Sequence, residues 1–421
     1  MINLASISLN ILDITTLIIF LVTYLGLAVG HWFYLKVDRS GIALLGSIAM
    51  LACGCLTLAQ AEAAVDMKSI LLLFSLMVVA AQLHFSGFYG WVAKRILNPL
   101  LDRPAIFLAG LILLSGLLSA FLNNDVVVIA MAPVVTLSVL NRKMNPIPFL
   151  IALALSSNIG CALTIIGNAQ NVLVGEMGGL GFGESMLYAV VPVTLSLILC
   201  YVVVYFLGRK TFSLPVQAGP QDTLFQQDMP FDTWRTVKGV GMLAIIVVLF
   251  VSTDLPRYLV ALTAAGLLLC SHRLPSKKVL SLVNWQLLVL FIGLFVVVGA
   301  FVQSGLSADM LQVLSSYGVN INDPFQLTLI SAGLSNCINN SATVMLLVKV
   351  VDLSNPMNCY ALALSNAFAG NLIIVGSLAN IIAVQCAESF QLKIGFREFF
   401  KYGAPTAIGS VLILLGWISI F

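Results

Sequence analysis

The sequence predicts an all-α polytopic membrane protein: two inverted-topology repeats, with about ten transmembrane helices and two re-entrant hairpins. Three observations predict it. The 421 residues are 60% hydrophobic and only 9% charged, with a mean hydropathy of +1.06, whereas a soluble domain carries about 25% charged residues. Several apolar runs reach the ~20 residues that a ~30 Å hydrocarbon core requires at about 1.5 Å per residue. Finally, one polar pattern occurs twice. Ser86-Gly87 and Ser304-Gly305 lie 218 residues apart, Asn123-Asn124 and Asn339-Asn340 lie 216 apart, and Gly167 and Asn171 lie 209 before Gly376 and Asn380. Small and polar residues at equivalent points of an apolar chain indicate a pseudo-symmetric protein with a site between its halves.

The first span, 13–33, has no basic n-region and no A-x-A-like cleavage site before it, so it is expected to be retained as a helix. Spans 40–58 and 68–90 follow, and then an apolar pair, 104–140, interrupted by Asn123-Asn124. Spans 147–175 and 185–208 complete a first repeat over residues 1–208. The longest polar stretch makes a cytoplasmic linker at 209–235. The second repeat, 236–421, has spans 236–253, 257–271 and 284–304, an interrupted pair 325–351, and spans 358–386 and 402–420. The arms on either side of Asn339-Asn340 fall short of the ~17 residues a crossing helix needs. That pair is therefore a re-entrant hairpin, and the repeat extends the same reading to 104–140.

Lysines and arginines orient the layout, since cytoplasmic loops are enriched in them. Of the 20, 17 fall on one face, and only Lys68, Arg257 and Lys349 fall opposite. The crowded face is expected to be cytoplasmic, with both termini outside. The first hairpin then enters from the cytoplasm, between Arg103 and Arg142, and the second from outside, between Asp323 and Lys349. The halves are inverted as a consequence of the charge count.

Four motifs are candidates for the site. Broken backbone at mid-membrane survives only where it lines protein or water. Asn123-Asn124-Asp125 and Asn339-Asn340-Ser341 interrupt apolar segments, and the helices that follow them present free N–H groups and a positive dipole end to an anion. Carbonyls ending the preceding helices suit a cation, so one site can hold both. Gly167-Asn168-Ala169-Gln170-Asn171 and Gly376-Ser377-Leu378-Ala379-Asn380 lie inside long apolar segments, where glycine permits unwinding and Asn, Gln or Ser replaces lost backbone partners. Taken singly, such residues also serve close helix packing. Asp125 is the one carboxylate the layout places deep in the membrane, costly at about 3 kcal/mol on insertion scales. It reads as a sodium ligand or proton carrier, or as the N-cap of a helix over 126–140. Sodium ligands are expected among Asn123, Asp125, Asn339 and Ser341.

Other features carry less. The eight cysteines show no C-x-x-C spacing and read as buried free thiols. His84 reads as a packed or interfacial histidine. Ser156, Ser157, Asn158, Ser365, Asn366 and Asn371 either line the site or bond helix to helix. No nucleotide-binding, haem or zinc motif and no catalytic triad is visible, which excludes the usual enzyme classes and gives no signal for nucleic acid.

At these motifs the chain resembles the ion transporter superfamily, which holds the arsenical-pump membrane protein family, the citrate and divalent-anion/sodium symporters, and a sodium/proton antiporter branch. AFLNNDVVVIAMAPV at 120–134, GFGESMLYAVVPV at 181–193, INNSATVML at 338–346 and GSLAN at 376–380 look similar to the arsenite permease branch. GNAQN at 167–171 is closer to the G-x-P-x-N pattern of the anion permeases, with Ala169 in place of proline. The Ser-Asn-Thr signatures of the dicarboxylate symporters are replaced by Asn-Asn-Asp and Asn-Asn-Ser. The resemblance implies a homodimer in which a scaffold domain carries a mobile transport domain, moving as an elevator. The matching positions are Asn123, Asn124, Asp125, Gly167, Asn171, Asn339, Asn340, Ser341, Gly376, Ser377 and Asn380.

The expected function is secondary transport of a small anion or oxyanion across the cytoplasmic (inner) membrane, coupled to sodium or protons. Few cationic side chains are available at mid-membrane, so dipoles and a co-bound cation must meet the substrate charge. The alternatives are arsenite or antimonite efflux, with a soluble ATPase partner if the chain is an arsenical pump, and sodium/proton antiport through Asp125. Cys161 and Cys337 fall near the motifs, where they offer thiol contacts or simply pack. An open channel fits poorly, because no helix has a continuous polar face.

Overall fold

A computed structural model of the chain describes residues 10–30, 37–212, 230–270 and 274–420, and its ordered elements are helices. The first half comprises α1 (Ile11–Val29), α2 (Arg39–Ala52), α3 (Leu58–Ala64), α4 (Met67–Phe85), α5 (Phe88–Leu97), α6 (Pro104–Phe121), α7 (Asn124–Asn141), α8 (Ile147–Gly160), α9 (Ala169–Met177) and α10 (Phe182–Gly208). The second comprises α11 (Thr233–Ser252), α12 (Arg257–Leu269), α13 (Ser276–Ser281), α14 (Trp285–Gln303), α15 (Leu306–Ser316), α16 (Pro324–Cys337), α17 (Asn340–Val350), α18 (Pro356–Ala369), α19 (Leu378–Ser389) and α20 (Phe396–Ile418). Eight of these, α1, α4, α6, α7, α10, α11, α14 and α20, are long and apolar enough to cross a bilayer. The protein is a multi-pass helical membrane protein.

Helix starts repeat between the halves. Proline occupies the first turn of α6, α8, α16 and α18, where its missing N–H is not needed. Gly87 and Gly305 open α5 and α15 with φ of 70° and 80°, a left-handed conformation that side chains with a Cβ resist. The expected span 68–90 therefore breaks at Ser86-Gly87 instead of continuing. Three further expected spans differ as well. Span 40–58 ends as a helix at Ala52, and 147–175 and 358–386 are each a pair of shorter helices around a break. The expected end of span 13–33, residue 271 of span 257–271, and residues 213–229 of the linker 209–235 lie outside the described residues.

Packing interlaces the halves: α2 lies along α14, and α12 lies along α4. A second group forms around α8, all of whose residues are buried, with α6, α7, α10 and α19 around it. A helix apolar on every side belongs in such a core. α16, α18 and α20 extend this group on the other half's side.

The two hairpins enter from opposite ends. At one end Arg142 pairs with Asp102 at 2.7 Å, and the Asn145 N–H donates to the Phe212 carbonyl at 3.0 Å. There too Lys401 Nζ reaches the Leu207 carbonyl at 3.3 Å, and Lys238 Nζ reaches the Leu267 carbonyl at 2.9 Å. At the other end Arg257 pairs with Glu176 at 3.2 Å, Lys349 Nζ donates to the Ala64 carbonyl at 3.3 Å, and the Asp352 N–H donates to Asn322 Oδ1 at 2.9 Å. The 27 residues of α10 separate these ends, about 40 Å at 1.5 Å per residue. Each of these basic residues sits at the end its charge class predicts, and the base of hairpin α6–α7 is opposite that of α16–α17. By length alone α6 and α7 would each cross a membrane. Their shared turn instead stops inside the protein, where it meets the turn of the second hairpin.

Candidate functional site

Both turns line one cavity of about 370 Å³, together with the two helix breaks. Asn123, Asn124 and Asp125 come from the α6–α7 turn, and Asn339, Asn340 and Ser341 from the α16–α17 turn. Asn168, Ala169 and Gln170 come from the first break, and Gly376, Ser377 and Leu378 from the second.

The turns are built alike. Asn123 Oδ1 accepts from the Asp125 N–H at 2.9 Å, and Asn339 Oδ1 accepts from the Ser341 N–H at 3.1 Å. Asn123 and Asn339 are thus the N-caps of α7 and α17, satisfying donors that a helix start leaves free. The capping reading of Asp125 is corrected accordingly: the cap lies two residues earlier, and the carboxylate is not used for it. The backbones differ, because Asn339 has φ of 128° whereas Asn123 has φ of −52°.

The breaks come earlier than the glycine motifs suggested. Regular α-helix stops at Gly160 and Ala369 and resumes at Ala169 and Leu378, so the motifs are helix starts. Asn171 Nδ2 donates to the carbonyls of Cys161 (3.0 Å) and Thr164 (3.3 Å). Asn380 Nδ2 donates to those of Gly370 (2.8 Å) and Ile373 (3.1 Å), the equivalent residues. Each side chain replaces backbone partners lost at a break, as buried carbonyls require. A Cβ at Gly167 would collide with the Cys161 carbonyl oxygen, and the Gly167 carbonyl accepts from the Asn124 N–H at 3.3 Å, holding turn to break. Gly167, Asn171 and Asn380 sit behind the cavity wall rather than on it.

Asn158 joins the pieces. Its Oδ1 accepts from Asn124 Nδ2 (2.9 Å) and Ser377 Oγ (2.8 Å), and its Nδ2 donates to Asn371 Oδ1 (2.9 Å) and Asn380 Oδ1 (3.0 Å). A primary amide has two N–H donors and two acceptor lone pairs, and here all four are used. The residue is 2% exposed and binds one turn to the opposite break. Ser157 Oγ and Asn366 Nδ2 make the matching bonds to the Asn124 and Asn340 carbonyls, at 3.1 and 3.2 Å.

Among the oxygens proposed for sodium, three already accept a bond: the two capping amides and Ser341 Oγ, which takes one from Gln170 Nε2 at 2.7 Å. The Asp125 carboxylate accepts none among the described residues. Cys161 lies on the cavity wall, its thiol donating to the Asn158 carbonyl at 3.1 Å and accepting from Asn168 Nδ2 at 3.0 Å, whereas Cys337 is exposed and off the cavity. All eight thiols are free; Cys53, Cys270 and Cys337 are exposed rather than buried as expected.

The second wall was not read from the sequence. Gly30 at the end of α1, Asp38, Arg39 and Ser40 at the start of α2, and Asn284, Gln286, Leu287 and Leu290 at the start of α14 face the turns across the cavity. They lie at the end that holds Arg142 and Lys401, so the cavity reaches that end. Toward the other end the second turn is sealed. Tyr24 Oη donates to the Ala342 carbonyl at 3.3 Å, and Phe20 stacks between Tyr24 (4.4 Å) and Phe301 (4.2 Å). The Asn284 counterpart at Asp66, 218 residues earlier, was the available signal for the α14 part of this wall.

A family model described as Citrate transporter matches residues 17–359. An uncharacterised transporter of Mycobacterium tuberculosis is 28% identical over 407 residues, covering 90% of this chain and 92% of the relative. A silicon efflux transporter of Oryza sativa subsp. japonica is 24% identical, with 90% and 93% covered. Among solved structures, the YdaH transporter of Alcanivorax borkumensis matches with a TM-score of 0.58 at 15% identity, covering 97% of this chain and 98% of its own, which is a likeness of fold.

Proposed function

The chain belongs to the citrate transporter family, and on that premise we propose that it is a secondary transporter moving a small anion or oxyanion across the cell's inner membrane, coupled to sodium or protons. The observation that carries this is the meeting of two inverted turns and two helix breaks on one cavity whose sole unpaired carboxylate among the described residues is Asp125. The N-terminal turns of α7, α17, α9 and α19 suit the cargo anion. Asp125, with carbonyls of the breaks, suits the coupling cation. Asn123, Asn339 and Ser341 retain one lone pair each and would complete its shell. In this reading α6–α10 and α16–α20 move as the transport domain against α1–α4 and α11–α14, and two copies assemble through the latter.

Proteoliposome uptake under sodium and proton gradients, with citrate, phosphate, sulfate and arsenite as competing solutes, tests the reading. Gradient-driven uptake of one of the anions is expected. Absence of uptake of all four under either gradient overturns it.

A second reading is efflux of arsenite or antimonite, which are uncharged hydroxides near neutral pH. It is favoured by Cys161, whose thiol lies on the cavity wall. A relative covering 90% of this chain is a silicon efflux transporter. Arsenite competing where citrate does not would select it. Sodium/proton antiport through Asp125 would instead give proton movement with no other solute present.

A further inference from the structure

We propose that Arg39, with the side-chain amides of Asn284 and Gln286, forms an anion-capture subsite on the wall facing the two turns, taking a carboxylate or oxyanion group of the cargo. It deepens the proposed function and rests on reading this cavity as the cargo path.

Arg39 lines the cavity from the start of α2, and its guanidinium packs over Gly30, with Nη2 3.4 Å from where a Cβ on that residue would stand. No carboxylate pairs with it among the described residues, and it donates to no other side chain or carbonyl there. The adjacent carboxylate is otherwise occupied: Asp38 Oδ1 accepts from the Gly41 N–H and Oδ2 from Ser40 Oγ, both at 2.9 Å. On the facing helix Asn284 uses its Oδ1 on the Leu287 N–H at 3.0 Å, and among the described residues its amide N–H groups have no acceptor. Gln286 lines the same wall and is exposed to the cavity. An unpaired guanidinium flanked by amide donors is a fork for planar oxyanions.

The subsite is chemically distinct from the turns. They offer capped amides, helix starts and one carboxylate, with no cationic side chain. Arg39 is the cation that also lines the cavity, and it belongs to the group of helices packed around α2 and α14. Anions entering from the end where α2 begins therefore meet Arg39 before they reach the turns.

The test reads electrostatics directly and does not depend on knowing the cargo. Leu378 is 43% exposed on the cavity wall. Leu378→Cys in the full chain, reconstituted in proteoliposomes, is treated with an anionic or a cationic methanethiosulfonate, and modification at position 378 is followed by peptide mass mapping. The ratio of anionic to cationic rates is expected to fall about fivefold in Arg39→Gln and to hold in Arg39→Lys, since the charge alone sets the local potential. An unchanged ratio in Arg39→Gln overturns the subsite while leaving the transport reading intact. Failure of both reagents to reach position 378 in the parent overturns the open cavity, and the transport reading with it.

Discussion

Gln170 Nε2 donates to Ser341 Oγ at 2.7 Å, tying the helix after the first break to the turn of the second hairpin. The equivalent pair in the other direction is Ala379 and Asp125, 209 residues after Gln170 and 216 before Ser341. A methyl group cannot donate a hydrogen bond, so the symmetric contact is missing where the second partner is a carboxylate. Ala379→Gln should restore it. A neutral donor on Asp125 competes with the coupling cation, so cation-driven uptake is expected to fall at least about tenfold, equivalent to roughly 1.4 kcal/mol, while the longer side chain at the fully buried Ala379 position costs about 1–3 kcal/mol of stability, which the melting temperature reads separately. Asp125→Asn should abolish coupling and leave folding intact. Coupling that survives Asp125→Asn would place the coupling cation on other oxygens of the cavity.

Asn158→Ala removes four hydrogen bonds in one substitution and leaves the partner groups on Asn124, Ser377, Asn371 and Asn380 buried without them. Bonds of this kind inside membrane proteins average about 0.6 kcal/mol, and up to about 1.7, so a loss of about 2–4 kcal/mol of stability is expected. Thermal unfolding in detergent measures it. Ser156→Ala, which loses one inter-side-chain contact to Ser115, is the comparison and should cost less than half as much.

Asp125 and Asn158 mark how far the sequence could be read. The turns were legible because Asn-Asn at mid-span conflicts with its apolar surroundings, and because the same conflict recurs at a fixed offset. Asn158 carries no such signal, since one asparagine in a helix buried on all sides looks like any helix-to-helix bond. The breaks were misplaced because CALTIIG at 161–167 holds one glycine and no proline, and so reads as continuous helix. Only the side chains of Asn171 and Asn380, bonded back to the freed carbonyls, reveal where the helix stops. The Arg39 wall escaped because positive-inside counting treats a loop arginine as a topology marker, and the packing of α2 against α14 brings it to the cavity.

The two capping asparagines should respond differently to substitution. Asn123→Ala loses only a cap, about 1 kcal/mol. Asn339→Ala loses the same cap, and the φ of 128°, which costs a non-glycine residue about 1–3 kcal/mol, is a strain the asparagine already bears. Asn339→Gly keeps the backbone unstrained and is expected to be the mildest of the three. Chemical or thermal unfolding of the set decides it. A loss in Asn339→Gly as large as in Asn339→Ala would mean that the second turn carries no strain there.

Tyr24→Phe removes the bond from α1 to the start of α17, between Tyr24 Oη and the Ala342 carbonyl. If that bond helps to seal the turn away from the Arg257 end, its loss shifts the population toward opening there. A thiol in Leu378→Cys should then be modified severalfold faster by an impermeant reagent added from that end. An unchanged rate would assign the seal to the Phe20 and Phe301 stack alone.

Orientation in the membrane rests on charge, and two positions test it cleanly. Ser276 begins α13 at the end that holds Lys238 and Lys401, and Asp323 caps α16 at the end that holds Lys349 and Arg257. Positively charged loops stay cytoplasmic, so Ser276→Cys should label with an impermeant maleimide only from the cytoplasm and Asp323→Cys only from outside. Replacing Asp323 removes its bond to the Gln326 N–H at 3.2 Å, worth about 1 kcal/mol, which a helix packed along α18 tolerates. Exchanged labelling would keep the fold and reverse its orientation. Labelling of both positions from one side would break the inverted relation of the hairpins, and with it the convergence of Asn124 and Asn340 from opposite faces on one cavity.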